Sequence, residues 1–468
     1  MNFTQQIFRN CNLDSNALIY NNNKITYRYL RELTGQYYNF LKHKNIKAGD
    51  EICISLPDSP NFVALILANW AIGAKTAHPN LSIKGKPLSE ILQVYNPKLI
   101  ITDKNNLQRF HGMNYDVECL EQINSENVII DYHRYKPDET LWYQMSSGTT
   151  GRSKMVRHTI TNAFEWHKSW NDATKGNKND LIYVTGKLQF NYSFGLTILN
   201  NLLNGSCAVI HDGIPTPKVI ENVFKHNQIT RFYIIPTFIN LLSKFKRDIN
   251  LKNCKTVSSS GDFLPEFMYK KFFEIYGVKV QNIIGCSDCC HNYTFNSDYS
   301  YSVGKPLQFV EIKIVDEQGN ECPINTVGEI LVKAPFIGKG YLNDIKNTAK
   351  AFVNDYVKTN DLGLLDNKGR LHFKGRKNNI IKINSIFVNP IYTEKEIIQY
   401  PGISDCQVIF KNNTLMANVV ADSKVNILQL KIFLQQSLEP QQIPKKFNLV
   451  DNIASTWNGK KIRQNFTY

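Results

Sequence analysis

A short run of glycines and hydroxylated residues, SSGTTGRSKMV at positions 146–156, is the first part of the chain whose residue types suggest chemistry. Its glycines leave backbone N–H groups free to point at an anion, its hydroxyl groups add hydrogen-bond donors, and Lys154 adds a positive charge. The spacing G-T-T-G-R-S-K differs from the P-loop pattern G-x-x-x-x-G-K-[ST]. Taken alone, the run is therefore compatible with an ordinary polar turn as well as with a phosphate site.

A second run, NIIGCSDCCHNY at positions 282–293, places three cysteines and a histidine within six positions. Such residues suggest a metal ion or a redox centre. However, a structural zinc site needs four ligands in paired clusters, and the sequence has no second C-x-x-C pair. Haem attachment needs C-x-x-C-H, and C-S-D-C-C-H is out of register. A cysteine-based metal or redox protein is thus the weakest functional hypothesis, and small buried thiols are favoured.

The length and composition are those of a large globular protein. The 468 residues are 42% hydrophobic, enough for more than one domain. Ten scattered cysteines and a start without a basic, then apolar, leader predict a cytoplasmic protein. The longest nearly apolar run, at 62–74, is too short to span a bilayer and predicts a buried helix. The net charge of +15 comes without a nucleic-acid motif, so no nucleic-acid partner is expected.

The elements that must position the two runs alternate along the first part of the chain. An amphipathic helix at 26–46, a strand at 51–56 and a buried helix at 61–74 begin a βα rhythm that continues past residue 230. This rhythm predicts an α/β fold whose large, layered N-terminal domain has mostly parallel sheets. After about residue 300, short strands separated by turns predict a β-rich subdomain. Beyond Gly375 we expect a small α+β C-terminal domain, with a helix that ends at Pro440.

The run at 146–156 resembles the signature loop of the adenylate-forming superfamily, [ST]-S-G-[ST]-T-G-x-P-K-G-V-x-H. This superfamily contains acyl-CoA synthetases, aryl-acid ligases and carrier-loading adenylation domains. Two positions depart from the signature, because Ser153 replaces a proline and Met155 replaces a glycine. Other runs resemble further motifs of the family in the family's order, namely SSSGDFLP at 258–265, VGEILVKAPFIGKGYLND at 327–344, the run at 358–390 and STWNGKKIRQ at 455–464. The resemblance covers nearly the whole chain and is nearest to benzoate-CoA ligases.

The resemblance implies a ligase that uses ATP and Mg²⁺ to activate a carboxylic acid as an acyl-adenylate. The acyl group then passes to a thiol, either that of CoA or that of phosphopantetheine on an acidic carrier protein. The resemblance also implies a large AMP-binding domain at 1–376 and a small, mobile domain at 377–468. The small domain is expected to rotate between the two steps about a hinge at Asn378. Ser385 replaces a glycine near the expected path of the thiol, and a side chain there would narrow that path.

Site residues follow from the resemblance by position. Asp288, where the family usually has glutamate, is expected to hold Mg²⁺ and to serve catalysis, since a shorter carboxylate is still a hard oxygen ligand. Lys460 is expected to be the catalytic cation at the transferring phosphate. Within the nucleotide set, Asn282 corresponds to an adenine contact, Ser287 to an α-phosphate contact and Asp361 to the ribose ligand. The full nucleotide set is Ser146, Ser147, Gly148, Thr149, Thr150, Gly151, Lys154, Gly261, Asn282, Ser287, Asp361 and Arg376.

The acid-binding positions correspond to the run KLQFNYSFGL at 187–196. Amino-acid-activating relatives carry an aspartate that pairs with the substrate ammonium, and this chain has the neutral Asn191 instead. An α-amino acid is therefore disfavoured, and nearby aromatic residues suit a flat aryl acid unless they are simply core residues. The expected substrate-binding residues are Phe190, Asn191, Tyr192, Phe194, Gly285 and His291. A medium-chain fatty acid ligase and a non-catalytic nucleotide-binding relative are the alternatives.

Overall fold

The computed structural model describes residues 1–120, 129–146, 154–262, 264–383, 386–411, 414–421 and 425–453. The chain divides into two compact units. The first comprises Met1–Lys313, Leu331–Thr359 and Leu365–His372, and the second comprises Ile314–Ile330, Asn360–Leu364 and the described residues from Phe373 onward. Within the described ranges, no helix combines the length and the apolar character needed to cross a membrane. The domain boundary expected at residue 376 stays a prediction.

The helices of the described residues are α1 (Phe3–Asn10), α2 (Tyr27–His43), α3 (Pro60–Ile72), α4 (Gly85–Tyr95), α5 (Ile160–Thr174), α6 (Asn191–Phe194), α7 (Pro217–His226), α8 (Pro236–Phe245), α9 (Glu266–Tyr276), α10 (Ile345–Ala351), α11 (Pro390–Ile397) and α12 (Ile427–Leu434). Short 3₁₀ turns lie at Leu107–Phe110, Lys377–Asn379 and Pro440–Gln442, and a π-helix at Gly195–Asn201 continues α6.

The strands are β1 (Asn16–Tyr20), β2 (Asn23–Thr26), β3 (Glu51–Ser55), β4 (Lys75–Ala77), β5 (Leu99–Thr102), β6 (Val117–Cys119), β7 (Thr140–Ser146), β8 (Lys154–Thr159), β9 (Leu181–Val184), β10 (Cys207–Ile210), β11 (Arg231–Ile234), β12 (Thr256–Ser259), β13 (Gln281–Asn282), β14 (Thr294–Phe295), β15 (Lys305–Pro306), β16 (Glu311–Val315), β17 (Gly328–Lys333), β18 (Phe352–Val353), β19 (Tyr356–Leu365), β20 (Leu371–Arg376), β21 (Ile381–Ile383), β22 (Ile386–Val388), β23 (Ile403–Lys411), β24 (Thr414–Ala421) and β25 (Lys446–Leu449).

Two mostly parallel sheets frame the first unit. One has six strands in the order β6-β5-β3-β4-β7-β8, and the other has seven in the order β13-β12-β11-β9-β10-β1-β2. The pairs β7–β8 and β1–β2 are antiparallel, and the other pairs in these sheets are parallel. Helices between consecutive parallel strands supply the crossovers that such sheets require. Strands β16 to β20 form a five-stranded sheet. The predicted α/β class with mostly parallel sheets and a β-rich part is confirmed.

The buried helix expected at 61–74 is α3. Each residue from Phe62 to Ile72 is buried, because ten of these eleven side chains are apolar and the helix lies within the core. The side chain of Ser59 accepts a hydrogen bond from the N–H of Phe62 and caps the helix start. Gly73, in the left-handed conformation that glycine tolerates best, ends the helix. Asn69 is satisfied inside the core by donating to the Leu65 carbonyl oxygen at 2.8 Å.

The second unit has an α+β core of its own. Strands β23, β24 and β25 form a sheet, and its buried side chains pack with Ile397 of α11 and with Leu430 and Leu434 of α12. The predicted strands and helix are therefore present. The helix is shorter than predicted, however, because α12 ends at Leu434 and Pro440 begins a separate 3₁₀ turn.

Candidate active site

The carboxyl ends of neighbouring parallel strands bring three predicted regions to one edge of the seven-stranded sheet. Strand β12 ends just before Gly261, and β13 ends at Asn282, whose neighbour in register is Ser259. Strand β9 lies two strands away from β12 in the same sheet. It leads through a short loop into α6, which begins at Asn191. In open α/β sheets, ligands bind beyond the carboxyl ends of the strands. This edge is therefore where a substrate site is expected from the topology.

The run at 282–293 folds back on itself beyond β13. Asn282 is buried, and Gly285 forms an antiparallel bridge with Asn292. A Cβ atom on Gly285 would lie 2.6 Å from main-chain atoms of residues 291 and 292, so only glycine fits this close approach. The Tyr293 N–H donates to the Ile284 carbonyl oxygen at 3.0 Å and closes the turn. The turn holds Ser287 and Asp288, both half-buried, between its two arms.

The cysteines of this run have structural surroundings. Cys289 and Cys290 are buried, and burial raises the pKa of the Cys290 thiol well above its ordinary value. All ten cysteines lie in the described ranges and are free thiols. The described residues contain no group of three or more His, Cys, Asp and Glu side chains placed to hold a metal ion. Cys289 and Cys290 are therefore core residues, whereas Cys286 is half-buried.

Asp288 is held at its main chain by a neighbouring segment. The Gly338 N–H donates to the Asp288 carbonyl oxygen at 2.8 Å. Burial, and secondarily the negative charge of the nearby Asp288 carboxylate, raise the pKa of Tyr341 in the same segment. A single half-buried carboxylate suits Mg²⁺, which proteins commonly bind through one or two carboxylates together with substrate phosphates. The donor set thus fits the metal that the sequence implied.

Lys154 is the first residue of β8. Strands β7 and β8 pair antiparallel, with Ser146 opposite Lys154. The Lys154 ammonium lies 4.5 Å from the centre of the Tyr341 ring. The structure therefore places Lys154 and Asp288 near the same tyrosine. Five predicted residues of the loop lie outside the described residues, namely Ser147, Gly148, Thr149, Thr150 and Gly151.

The predicted acid-binding aromatics do not share one environment. Phe190 is 52% exposed, whereas Phe194 is fully buried and its ring stacks on His78 at 4.5 Å. Phe194 also packs against Trp70 and Trp142, so it belongs to an aromatic core cluster. The half-buried Tyr192 donates to the Ser258 carbonyl oxygen at 3.4 Å, on β12. Of the three, Tyr192 is the one that faces the sheet edge where Gly261 and Asn282 lie.

Two buried histidines flank this region. His291 lies against the Trp166 ring at 4.4 Å, and His158 stacks on Trp142 at 4.7 Å. Burial, and secondarily the nearby His158, lower the pKa of His291 well below its ordinary value. Burial lowers the pKa of His158 to about 3. Both rings are therefore neutral at physiological pH, and neither supplies a cation to a bound carboxylate.

His158 and Trp166 were absent from the residues expected at the site. One signal in the sequence points to His158, which matches the last position of the signature motif. Trp166 lies in α5, and its indole N–H donates to the Asn292 carbonyl oxygen at 3.0 Å. That contact joins residues 126 positions apart, and no local pattern predicts it. The turn that carries Asp288 is thus supported by α5, a helix that contains none of the sequence motifs.

The comparisons with known proteins agree with this geometry. The family model described as "AMP-binding enzyme" matches residues 3–342, which is more than half of the chain. The chain belongs to the AMP-binding enzyme family. It is 22% identical to 3-hydroxybenzoate–CoA/4-hydroxybenzoate–CoA ligase of Thauera aromatica, covering 96% of this chain and 92% of the relative. It is 23% identical to gramicidin S synthase 2 of Brevibacillus brevis, over 96% of this chain but 10% of that much longer protein.

A solved structure with the same fold is that of the anthranilate CoA ligase AuaEII in complex with anthranoyl-AMP. The TM-score is 0.89 at 20% identity, covering 98% of this chain and 95% of the other. At this level of identity the likeness establishes the fold. It therefore supports the two-sheet architecture described above.

The second unit of this AMP-binding enzyme carries two further residues that are predicted to bind the nucleotide, Asp361 and Arg376. Asp361 on β19 is buried, and the Arg376 Nε atom lies 3.0 Å from its Oδ1 atom. Asn378 is exposed in the 3₁₀ turn Lys377–Asn379. Asp361 and Arg376, which the sequence assigned to one ligand, are thus neighbours. Lys460, predicted to be catalytic, and Ser385 lie outside the described residues.

Proposed function

We propose that this AMP-binding enzyme is an acid–thiol ligase that activates an aryl carboxylic acid. In the first step, a carboxylate oxygen of the acid attacks the α-phosphorus of ATP, and pyrophosphate leaves. In the second step, a thiolate attacks the carbonyl carbon of the acyl-adenylate, and AMP leaves with the bonding electrons. The observation that carries the proposal is the gathering of Asn282, the turn with Asp288 and the start of α6 beyond one sheet edge. The hydroxybenzoate–CoA ligase relative, matched over nearly the whole chain, supports the same reaction.

The proposed roles follow the charges that each step develops. The first step gathers negative charge at the phosphates, so Lys154 and Lys460 would stabilise it as cations and Ser287 as a hydroxyl donor. Asp288 would hold Mg²⁺ together with substrate phosphates, and the bound ion would supply positive charge that stabilises the leaving pyrophosphate. Asp361, held beside Arg376, would accept hydrogen bonds from the ribose hydroxyls.

An aryl acid is favoured over an amino acid by the neutral groups at the acid side. Asn191 is an amide, and its Oδ1 atom is buried without a hydrogen-bond partner among the described residues. An amide leaves the charge of a substrate ammonium uncompensated in a buried site, which costs several kcal/mol. The lowered pKa of His291 keeps a second neutral, flat ring near α6. These groups suit an aromatic ring better than a charged side chain.

The acceptor thiol has two candidates. CoA is the first, because the hydroxybenzoate relative is a CoA ligase. The phosphopantetheine of an acidic carrier protein is the second, favoured by the match to gramicidin S synthase 2 and by the net charge of +15. Incubation of the enzyme with ATP, acid and either thiol, followed by mass spectrometry of the thioester, distinguishes the two.

The first reaction is tested by exchange of labelled pyrophosphate into ATP across a panel of acids. The panel contains benzoate, the hydroxybenzoates, anthranilate, octanoate and several α-amino acids. We expect exchange with the aryl acids and little or none with amino acids. Exchange with octanoate alone would favour the medium-chain fatty acid ligase. No exchange with any acid would instead support a relative that binds nucleotide without catalysis.

A further inference from the structure

The segment at 338–342 lies between Asp288 and strand β8, which begins at Lys154. It runs beside β8, where the Arg157 N–H donates to the Gly340 carbonyl oxygen at 2.9 Å and the Leu342 N–H donates to that of Met155 at 2.9 Å. On its other side, the N–H of Gly338 binds the Asp288 carbonyl oxygen. A Cβ atom on Gly338 would lie 2.6 Å from the Val156 side chain and 3.2 Å from that oxygen. Glycine at 338 therefore permits the segment to touch both neighbours.

Tyr341 is the side chain of this segment that faces both neighbours, and several contacts fix it. Its N–H donates to the Thr348 hydroxyl at 2.9 Å, and its ring packs edge-on against Phe352 at 5.5 Å. Its main chain forms an isolated bridge with Val156. The ring carries the Lys154 ammonium over one face, at 4.5 Å from its centre. The Asp288 carboxylate lies close enough to the hydroxyl to raise the pKa of Tyr341, after burial.

We propose that Tyr341 is a positioning residue that holds the Asp288 carboxylate in place for the magnesium–triphosphate through its hydroxyl and seats Lys154 through its ring. The inference rests on the proposed function, because that function requires Asp288 to bind Mg²⁺. Outer partners of metal-binding carboxylates commonly fix their orientation, and losing one costs about 10–100-fold in metal affinity or activity. Aspartate is one methylene shorter than the usual glutamate, so a fixed orientation matters here.

The test uses Tyr341→Phe, which removes the hydroxyl and keeps the ring under Lys154. The Mg²⁺ concentration at half-maximal pyrophosphate exchange should rise by about tenfold, and KM for the acid should stay unchanged. Binding is measured separately by titration calorimetry with ATP, with and without Mg²⁺. The variant should bind Mg²⁺–ATP about tenfold more weakly and metal-free ATP as the wild type does. Thioester formation from synthetic acyl-adenylate, which needs no triphosphate, should proceed at the wild-type rate.

Tyr356 supplies a matched control. Its hydroxyl donates to a carboxylate, that of Glu311, and the Lys313 ammonium lies 5.3 Å from its ring centre. Tyr356→Phe should leave Mg²⁺ dependence unchanged. An equal rise in both variants, or no rise in Tyr341→Phe, would overturn the inference.

A double-mutant cycle separates positioning from simple structural support. If Tyr341 acts through Asp288, then Tyr341→Phe should add no further loss of Mg²⁺–ATP affinity in an Asp288→Asn background. A full additional tenfold loss in the double mutant would overturn the inference. Failure of the proposed function looks different, since the wild-type enzyme itself would then show no exchange with any acid. The calorimetric comparison of the two tyrosine variants would still decide the role of Tyr341.

Discussion

Asn191 is a single side chain at which the identity of the acid substrate can be tested. It begins α6, and its Oδ1 atom is buried among the described residues with no hydrogen-bond partner. A buried acceptor without a partner is costly in a folded protein unless a bound molecule or water satisfies it. Asn191 is therefore a strong position at which to test whether the substrate is an uncharged aryl ring carrying one carboxylate.

Asn191→Asp should lower kcat/KM for a benzoate-type acid by roughly 10–100-fold, because the new carboxylate is partly desolvated and repels the carboxylate of the substrate. The measurement is acid-dependent pyrophosphate exchange at pH 7.5 for both forms. Asn105→Asp, at an exposed position, is the matched control and should change little. Equal kcat/KM values for wild type and Asn191→Asp would remove residue 191 from the acid site.

The catalytic role of Lys460 is predicted from the sequence resemblance alone and can be tested by substitution. If it stabilises charge at the transferring phosphate, Lys460→Ala should slow adenylation by roughly 10²–10³-fold, as for the loss of one preorganised electrostatic contact. Thioester formation from synthetic acyl-adenylate should slow far less. Lys461→Ala, one residue along, should do little in either assay. Equal losses in both half-reactions for Lys460→Ala would show that this lysine does not act at the phosphate.

At the scale of elements, the start of α6 is held by the turn between β3 and α3. The Leu188 N–H donates to both oxygens of the Asp58 carboxylate, at 3.1 and 3.2 Å, and the Gln189 side chain donates to the Leu56 carbonyl oxygen at 3.0 Å. The Lys187 ammonium lies 3.8 Å from the same carboxylate. These contacts tie the two parallel sheets together next to Asn191. The position of α6 therefore depends on a buried charge in another element.

That buried charge predicts a pH-dependent stability. Burial, opposed by Lys187, raises the pKa of Asp58 to about 6 from an ordinary 3.8. Above pH 6 the folded protein keeps a desolvated carboxylate, and between pH 6 and 3.8 it takes up a proton that the unfolded chain does not. Ionisation of Asp58 therefore costs stability as the pH rises through 6. Asp58→Asn should raise the free energy of unfolding by about 1–3 kcal/mol at pH 7.5, with the gain disappearing near pH 4.

Urea unfolding followed by tryptophan fluorescence measures this effect, because Trp70, Trp142, Trp166 and Trp170 are buried in the first unit. Asp138→Asn is the control, since the Asp138 side chain is 81% exposed and its substitution should change the free energy of unfolding little. A loss of stability at pH 7.5 in Asp58→Asn would show that the pairing with Lys187 outweighs the cost of burial.

Over the whole molecule, features set by local pattern were predictable and features set by distant contacts were not. Amphipathic spacing predicted α2, and compact apolar runs predicted α3 and the parallel strands, because each of these patterns is contained within one element. The burial of Phe194 depends instead on contacts with Trp70 and Trp142, far away in the sequence. The end of α12 at Leu434 likewise escaped prediction, since the apolar pattern continues to Leu438.

Motifs name candidate site residues without showing their surroundings. The signature loop supplies Lys154 and, by resemblance, the run at 282–293 supplies Asp288 as candidates. The tyrosine that joins them comes from a third run, and its packing against Phe352 and Val156 is a property of the folded chain. The residue types thus determine which chemistry is available, and the topology determines which of these residues come into contact.

The last prediction concerns the rotation that the family resemblance implies for the C-terminal segment. Asn378 is exposed in a 3₁₀ turn directly after β20, at the position where the hinge is expected. Proline at 378 fixes φ near −65° and should restrict the backbone change that a rotation needs. Asn378→Pro should therefore keep pyrophosphate exchange but slow thioester formation from synthetic acyl-adenylate by about tenfold or more.

Asn378→Ala is the matched control, because alanine leaves the backbone at 378 free to rotate while it removes the same amide side chain. This variant should retain both half-reactions at close to the wild-type rates. If Asn378→Pro supports both half-reactions as the wild type does, the hinge lies elsewhere in the chain. If Asn378→Pro and Asn378→Ala slow both half-reactions equally, the amide side chain matters in its own right, and the assignment of residue 378 as a hinge is wrong. A selective loss of the second step in the proline variant alone is the result that a rotating C-terminal segment requires.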